Sequence, residues 1–205
     1  VTAVMFYDTD SNAHGLRHDP FKAIVAPRPI GWIGTKATDG SLNLAPYSFF
    51  NAVSDRPKLV MFSSSGYKDS IRSIEETGVF TCSLVSRDLA ERMNVTSAAV
   101  PRGTSEFALA GLTPVAGRLV DAPYVGEAHA VLECRMTEIV RPKTLSGDLA
   151  ESWIAFGAVV GIHLDEAIVR EGRIDMALAS PVARMGYMDY CDGSDAFEMF
   201  RPKAG

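Results

Sequence analysis

This 205-residue chain contains no run of eighteen or more apolar residues, so no membrane-spanning helix is expected. It also lacks any block of like charge. Twenty Lys and Arg are interspersed with 25 Asp and Glu, for a net charge of −5. Without a basic patch or stripe, no nucleic-acid partner is expected. Cysteine is scarce. Cys82, Cys134 and Cys191 are far apart, form no Cys-x-x-Cys pair and fit no zinc spacing. Cys82 and Cys134 fall inside strand patterns and read as small apolar core residues. The odd count fits a reducing, cytoplasmic setting. No Gly-x-Gly-x-x-Gly follows a strand, which argues against a Rossmann dinucleotide site, and no Gly-x-Ser-x-Gly elbow points to a hydrolase. His14 and His18 are four apart, but Gly15 and Pro20 disfavour the helix that would align them, so no metal site is expected. Val1 to Asp10 lacks the basic start and apolar core of a signal peptide. Val rather than Met at position 1 suggests a processed or trimmed start.

What is present suits one globular domain over residues 1–205, with 1–20 as a loose, turn-rich lead-in. Phe21 to Ala26 reads as a first strand. From Pro27 to Asn51 the pattern is a hairpin running into a polar loop. Ile30, Trp32 and Ile33 are strand formers, and Asp39-Gly40 signals a two-residue type I′ turn. The chain returns through Leu42 and Leu44, and Pro46 is expected to end regular pairing. Tyr47-Ser48-Phe49-Phe50-Asn51 then forms the loop, which reads either as a grip for a flat polar ligand or as a buried aromatic corner. Leu59 to Phe62 is a short apolar strand. It leads into a hydroxyl-rich loop, Ser63-Ser64-Ser65, and then Gly66-Tyr67-Lys68-Asp69-Ser70. The spacing of Ile71 and Ile74 predicts a helix over Asp69–Thr77, ended by Gly78. A fresh helix N-terminus beside serines and Lys68 suits a phosphate. Equally, Asp69 or Ser70 can simply cap the helix.

Val79 to Leu84 reads as another strand, and Ser86 can cap a second helix burying Leu89 and Met93. Residues 94–103 show little periodicity. Thr104 to Ala110 can form a helical turn ended by Gly111. From Ala130 to Thr137 the chain alternates, with Ala130, Leu132, Cys134 and Met136 inward and Glu133, Arg135 and Thr137 outward. Trp153 to Leu164 is a long apolar strand with Gly157 and Gly161 as bulges or close approaches. Ile168 and Val169 start a further strand before a turn at Glu171-Gly172. Asp165 and Glu166 read as a solvated turn, and His129 and His163 as structural histidines in strands. Many short strands with a few helices between them suggest a mainly β fold with helical insertions, a barrel.

Several of these stretches carry a resemblance. Pro-Arg-Pro-Ile-Gly-Trp-Ile (27–33), Asp-Gly-Ser-Leu-Asn-Leu-Ala-Pro-Tyr-Ser-Phe-Phe (39–50) and Ser-Ser-Ser-Gly-Tyr-Lys-Asp-Ser (63–70) resemble the flavin reductase-like, FMN-binding split-barrel family in order and spacing. Glu106-Phe107 with Ala110 to Thr113, Leu132-Glu133-Cys134 and Ala183 to Tyr187 extend the similarity over about 14–200. The resemblance implies an FMN-binding split β-barrel and a homodimer with FMN at or near the subunit interface.

An FMN site needs donors for a phosphate, polar backbone for the ring edge and apolar cover. On that requirement Ser63, Ser64, Ser65, Lys68 and Ser70 are the phosphate candidates, with Arg28 as a second cation. Thr35 and the backbone of Ala45, Pro46, Tyr47 and Ser48 are candidates for ring and ribityl contacts. Trp32, Tyr47 and Phe49 either cover the ring or pack in the core. By its place in the family pattern, Arg184 or Met185 is expected near the flavin, the alternative for Arg184 being a surface ion pair. No catalytic side chain is evident. The implied activity is an FMN-dependent oxidoreductase, with NAD(P)H as possible donor and a small molecule or protein as acceptor. Reductases of this kind often carry an Asp-His pair ahead of the glycine in the long second-half strand. Here Glu151-Ser152 stands there. That keeps open an FMN-binding electron carrier reduced by a partner protein, and a non-catalytic split-barrel module is the third possibility.

Overall fold

The computed structural model describes residues 3–202; residues 1 and 2 of the lead-in and residues 203–205 lie outside the described residues. The expected first strand is instead a single helical turn, α1 (Phe21–Ile24). Its Ala23 and Ile24 N–H groups bond back to the Pro20 carbonyl. Four residues are too few for periodicity to separate a helix turn from a strand, and the fixed φ of Pro20 suits the helical start.

The hairpin follows as β1 (Arg28–Pro29), β2 (Gly31–Lys36) and β3 (Leu42–Tyr47). Its turn differs from the expected I′ form. Gly40 alone has positive φ, and Gly40 N–H bonds to Ala37 O while Ala37 N–H bonds to Ser41 O. The result is a loop of Thr38, Asp39 and Gly40 with glycine in the left-handed position. Pro46 does not end the pairing: β3 runs to Tyr47, and Pro46 lies opposite Trp32. The reason is edge position. Leu44 N–H points away from β2, to the Glu106 carboxylate, so Pro46, two residues on, sits on the side where no ladder donor is needed. The expected polar loop shrinks to a Ser48-Phe49 corner before β4 (Phe50–Asp55).

The expected serine loop is also strand. β5 (Lys58–Ser65) keeps pairing with β10 (Ser152–Leu164), with Ser63, Ser64 and Ser65 opposite Ile154, Trp153 and Ser152. α2 (Asp69–Thr77) has the expected bounds, buries Ile71 and Ile74, and ends at Gly78 with φ 74°. β6 (Val79–Ser83), α3 (Ala90–Val95), α4 (Glu106–Leu109), β7 (Pro114–Ala116), β8 (Pro123–Val125) and β9 (Ala130–Val140) follow. After β10 come β11 (Val169–Arg170), β12 (Arg173–Ile174), α5 (Met176–Ala179), β13 (Ala183–Arg184) and β14 (Tyr190–Cys191). Glu171 and Gly172, between β11 and β12, both have positive φ, as a I′ turn requires.

The main sheet is antiparallel with order β3-β2-β6-β9-β10-β5-β4. It curls on itself. β3 and β5 are distant in that order, yet the Tyr47 and Phe62 rings lie 4.6 Å apart. This is the split-barrel architecture implied by the sequence. One core, with Ile33, Phe62, Ile71, Ile74 and Phe80, fills the curl under α2. A second core, with Trp32, Leu44, Leu89, Met93 and Phe107, packs on the opposite face of β2 and β3 beneath α3 and α4. β2 is therefore buried on both faces. Bulges occur where Gly157 and Gly161 stand in β10. A Cβ on Gly157 would lie 2.5 Å from the Phe80 ring, so only glycine lets the strand approach there.

Glu133 overturns the alternation read for β9. It is buried, at 1% exposure, not solvent-facing. Its carboxylate accepts from the N–H groups of Arg118, Leu119 and Val120 at 2.8, 2.6 and 3.0 Å, and contacts His163 Nε2. Burial alone pushes its pKa up, but these donors outweigh it and hold the carboxyl below the usual range. His163 thus has the expected structural part. His129, one residue before β9 and not within it, pairs with Asp165 at 2.9 Å. Among the described residues no helix is long and apolar enough to cross a membrane.

Candidate functional site

Two clefts are of interest, one along the free edge of β3 and one just beyond its end. The first, of about 380 Å³, lies between β3, the start of α2 and the segment after α3. Its walls include Ala45, Pro46, Tyr47, Lys68 and Ser70, five of the residues singled out in the sequence. α2 starts here without a side-chain cap. Lys68 is at the N-cap position with extended backbone (φ −94°, ψ 172°), so neither Asp69 nor Ser70 caps the helix. The first-turn N–H groups and the positive end of a nine-residue helix are thereby left to an outside acceptor. The Lys68 side chain is exposed and in no ion pair among the described residues.

Sequence reasoning missed Asn43 and Glu106, both lining this cleft. Asn43 Nδ2 donates to Ser70 Oγ at 2.9 Å and to Thr35 Oγ1 at 3.3 Å, tying β3 to α2. Thr35 itself is fully buried, so it acts through Asn43. A polar side chain between Leu42 and Leu44 was the available signal. Glu106 accepts from Leu44 N–H at 3.0 Å. Burial raises its pKa, with the Leu44 bond pulling the other way. Nothing local in the sequence marks that long-range bond, although Glu106-Phe107 belongs to the family pattern.

The aromatics divide. Trp32 is a core residue, fully buried, with its indole N–H donating to Thr96 Oγ1 at 2.9 Å. Tyr47 is also buried. Its ring packs at a tilt against Phe62, its hydroxyl lies by Ser70 and Ser64, and burial raises its pKa. Phe49 is half-buried beneath the Arg28 guanidinium, 5.9 Å from ring centre. The three serines of β5 divide too, because successive strand side chains face opposite ways. Ser64 is buried and donates to Gly66 O at 2.9 Å, whereas Ser63 and Ser65 project on the other face. None of the three lines the first cleft.

The second cleft, of about 500 Å³, collects Arg28, Ser48 and Arg184 with Lys22. It adjoins the first through the peptide joining Tyr47 to Ser48. β1 pairs with β13 so that Arg28 lies opposite Arg184. Arg28 is 7% exposed and donates to the carbonyls of Lys22, Val25 and Met185. Burial, and then the Arg184 charge, lower its pKa. Arg184 donates to the Tyr190 hydroxyl and the Tyr187 carbonyl, and its guanidinium stands 4.5 Å over the Tyr190 ring. It is in no ion pair among the described residues. Met185 is half-buried and enters only through its carbonyl to Arg28. Cys82 and Cys134 are buried thiols, with Cys82 pushed up to about 12 by burial, so both are inert packing residues.

Comparison with known proteins agrees with this architecture. A model of the flavin reductase like domain matches residues 25–181. A relative from Deinococcus radiodurans with no assigned function is 36% identical over 95% of this chain and 88% of its own. Nitrilotriacetate monooxygenase component B from Bacillus cereus superposes with a TM-score of 0.88 at 27% identity, covering 97% of this chain and all of that one (100%). Flavoredoxin of Desulfovibrio vulgaris (Miyazaki F) gives 0.72 at 26% identity, over 87% and 91% of the two chains.

Proposed function

The chain belongs to the flavin reductase like domain family, and on that premise we propose that it is an oxidoreductase working through bound FMN. Residues 1–205 form one such domain in this reading. The observation that carries it is the uncapped start of α2, with Lys68 and Ser70, in one cleft with the free edge of β3. That donor set fits FMN. Uncapped N–H groups, an ammonium in no ion pair among the described residues and a hydroxyl suit a phosphate. The backbone of Ala45 to Ser48 suits the polar edge of a flat ring. Asp69 and Glu106, acceptors on the same cleft, suit ribityl hydroxyls. Asn43 keeps Ser70 and β3 in fixed relation. Tyr47, anchored in the core, holds the strand still.

When bound, FMN supplies the two-electron chemistry, taking hydride from a donor and passing electrons on. The chain's residues bind and orient; no side chain is assigned as acid, base or nucleophile. NAD(P)H is the proposed donor, and a small molecule or protein the acceptor. A homodimer is supported by the C-terminal half of β10, where the apolar Val160, Ile162 and Leu164 are all exposed. Val160, Ile162 and Leu164 are 37%, 57% and 44% exposed. A stripe of this kind calls for a partner surface. Free thiols at Cys82, Cys134 and Cys191 support a cytoplasmic setting.

One observation favours a second reading, an electron carrier reduced by another protein. Where reductases of this kind often carry Asp-His, this chain has Glu151-Ser152, with Ser152 paired to Ser65 and the Glu151 carbonyl accepting from Gly66 N–H. Anaerobic titration of the FMN-loaded protein separates the two. Bleaching within seconds by NADH or NADPH supports the reductase. Bleaching only by a reduced protein donor supports the carrier.

A further inference from the structure

The second cleft concentrates positive charge in a chain of net charge −5. Lys22, Arg28 and Arg184 all line it, and among the described residues none of them forms an ion pair. The one acid on its wall, Asp19, is directed elsewhere, accepting from Phe21 N–H at 2.8 Å and from Asn12 Nδ2 at 3.4 Å. Arg28 and Arg184 sit directly opposite in register, an unfavourable arrangement for like charges with nothing between them. Arg28 is 7% exposed, and its Nε has no hydrogen-bond partner among the described residues. Two like charges held together with no counter-charge are costly, and an anion beside them would offset that cost. The rim is apolar: Phe21, Tyr187 and Met188 are 60%, 48% and 83% exposed there. Tyr187 is held at φ 53°, a conformation bulky residues rarely adopt, and its carbonyl fixes Arg184.

We propose that this cleft is a subsite for an organic anion, a carboxylate or phosphate seated on Arg28 and Arg184, with its apolar body against Phe21 and Tyr187. The assignment of that anion to the electron donor or acceptor rests on the FMN reading, because the Tyr47-Ser48 peptide joins the two clefts. Anion binding itself does not require FMN, so the two can fail separately.

The test is an NMR titration of the labelled full chain, as purified and after FMN loading, with sodium benzoate and, separately, inorganic phosphate. Saturable binding of benzoate, and of phosphate once FMN fills the first cleft, is expected, weakened at least about fivefold in both Arg184→Gln and Lys22→Gln, while benzoate binding to the as-purified chain is unaffected by Lys68→Gln. Lys22 is exposed and its ammonium has no partner among the described residues, so a folding defect in Arg184→Gln leaves the test intact. Benzoate alone binding identifies a carboxylate substrate, and phosphate alone a nucleotide; either supports the subsite. Binding of neither overturns it. So does binding that survives both Arg184→Gln and Lys22→Gln, or benzoate binding that is lost in Lys68→Gln, which would locate the anion in the first cleft. A protein that binds the anion but retains no FMN would sink the flavin reading and leave the subsite standing.

Discussion

Replacing Glu133 by glutamine should cost the fold about 3 kcal/mol at neutral pH. The carboxylate has four donors around it. Oε2 accepts from Leu119 and Val120, and Oε1 from Arg118 and His163. Glutamine keeps one oxygen and turns an NH₂ toward at least one backbone N–H, so two charge-assisted bonds are lost. Each is worth roughly 1.5–3 kcal/mol, discounted here because Arg118 and Leu119 are exposed and can rehydrate. Urea denaturation should then show a midpoint lower by about 1–2 M. The pH dependence has a defined sign. The folded carboxyl titrates below its ordinary value of 4.5, so its stabilisation is fully present above 4.5 and fades as pH falls through the lower folded value. The gap between native and Glu133→Gln proteins should therefore narrow on acidification below 4.5. A difference under about 1 kcal/mol at pH 7, or a gap that stays constant into acid, would refute this account of Glu133.

The other predictions concern the site, the sheet and the assembly. Lys68→Gln should weaken FMN binding about 10- to 100-fold, read by quenching of flavin fluorescence, because one charge-assisted contact is removed. An unchanged affinity would mean that the phosphate does not sit at α2. Gly34→Ala should destabilise by about 3 kcal/mol or abolish soluble expression. A Cβ there lies 2.1 Å from the Pro123 carbonyl and 2.6 Å from Thr81 Oγ1, and the carbonyl is backbone that cannot swing aside. A normal melting temperature would contradict that packing. Ile162→Glu, a 57% exposed position on β10, should shift the proposed homodimer to monomer in light scattering without unfolding the chain. A dimer that persists would move the interface off this strand.

What could be read from the sequence was what local pattern determines. The helix over Asp69–Thr77 was legible from Ile71, Ile74 and Gly78, because a helix face and a left-handed glycine leave marks three to four residues apart. The long strand β10 and its glycine bulges were legible for the same reason. What failed was decided by contacts distant in sequence. Ser63 to Ser65 resembled a loop, yet pairing with Ser152 to Ile154 makes them strand and sends their side chains to two faces. Glu133 read as outward because the loop at 118–120, which supplies its donors, is fifteen residues away or nearly so. Lys68, Ser70 and Ala45 to Tyr47, singled out in the sequence, meet in one cleft, whereas Arg28, Ser48 and Arg184 form a neighbouring one. Asn43 escaped notice because its role depends on register opposite Thr35.

The most direct measurement is the visible absorption spectrum of the purified chain after incubation with FMN and removal of the excess. The account predicts a flavin band that stays with the protein, shifted from that of free FMN, and reduced retention in Lys68→Gln. A native protein that folds normally yet comes through colourless would contradict it.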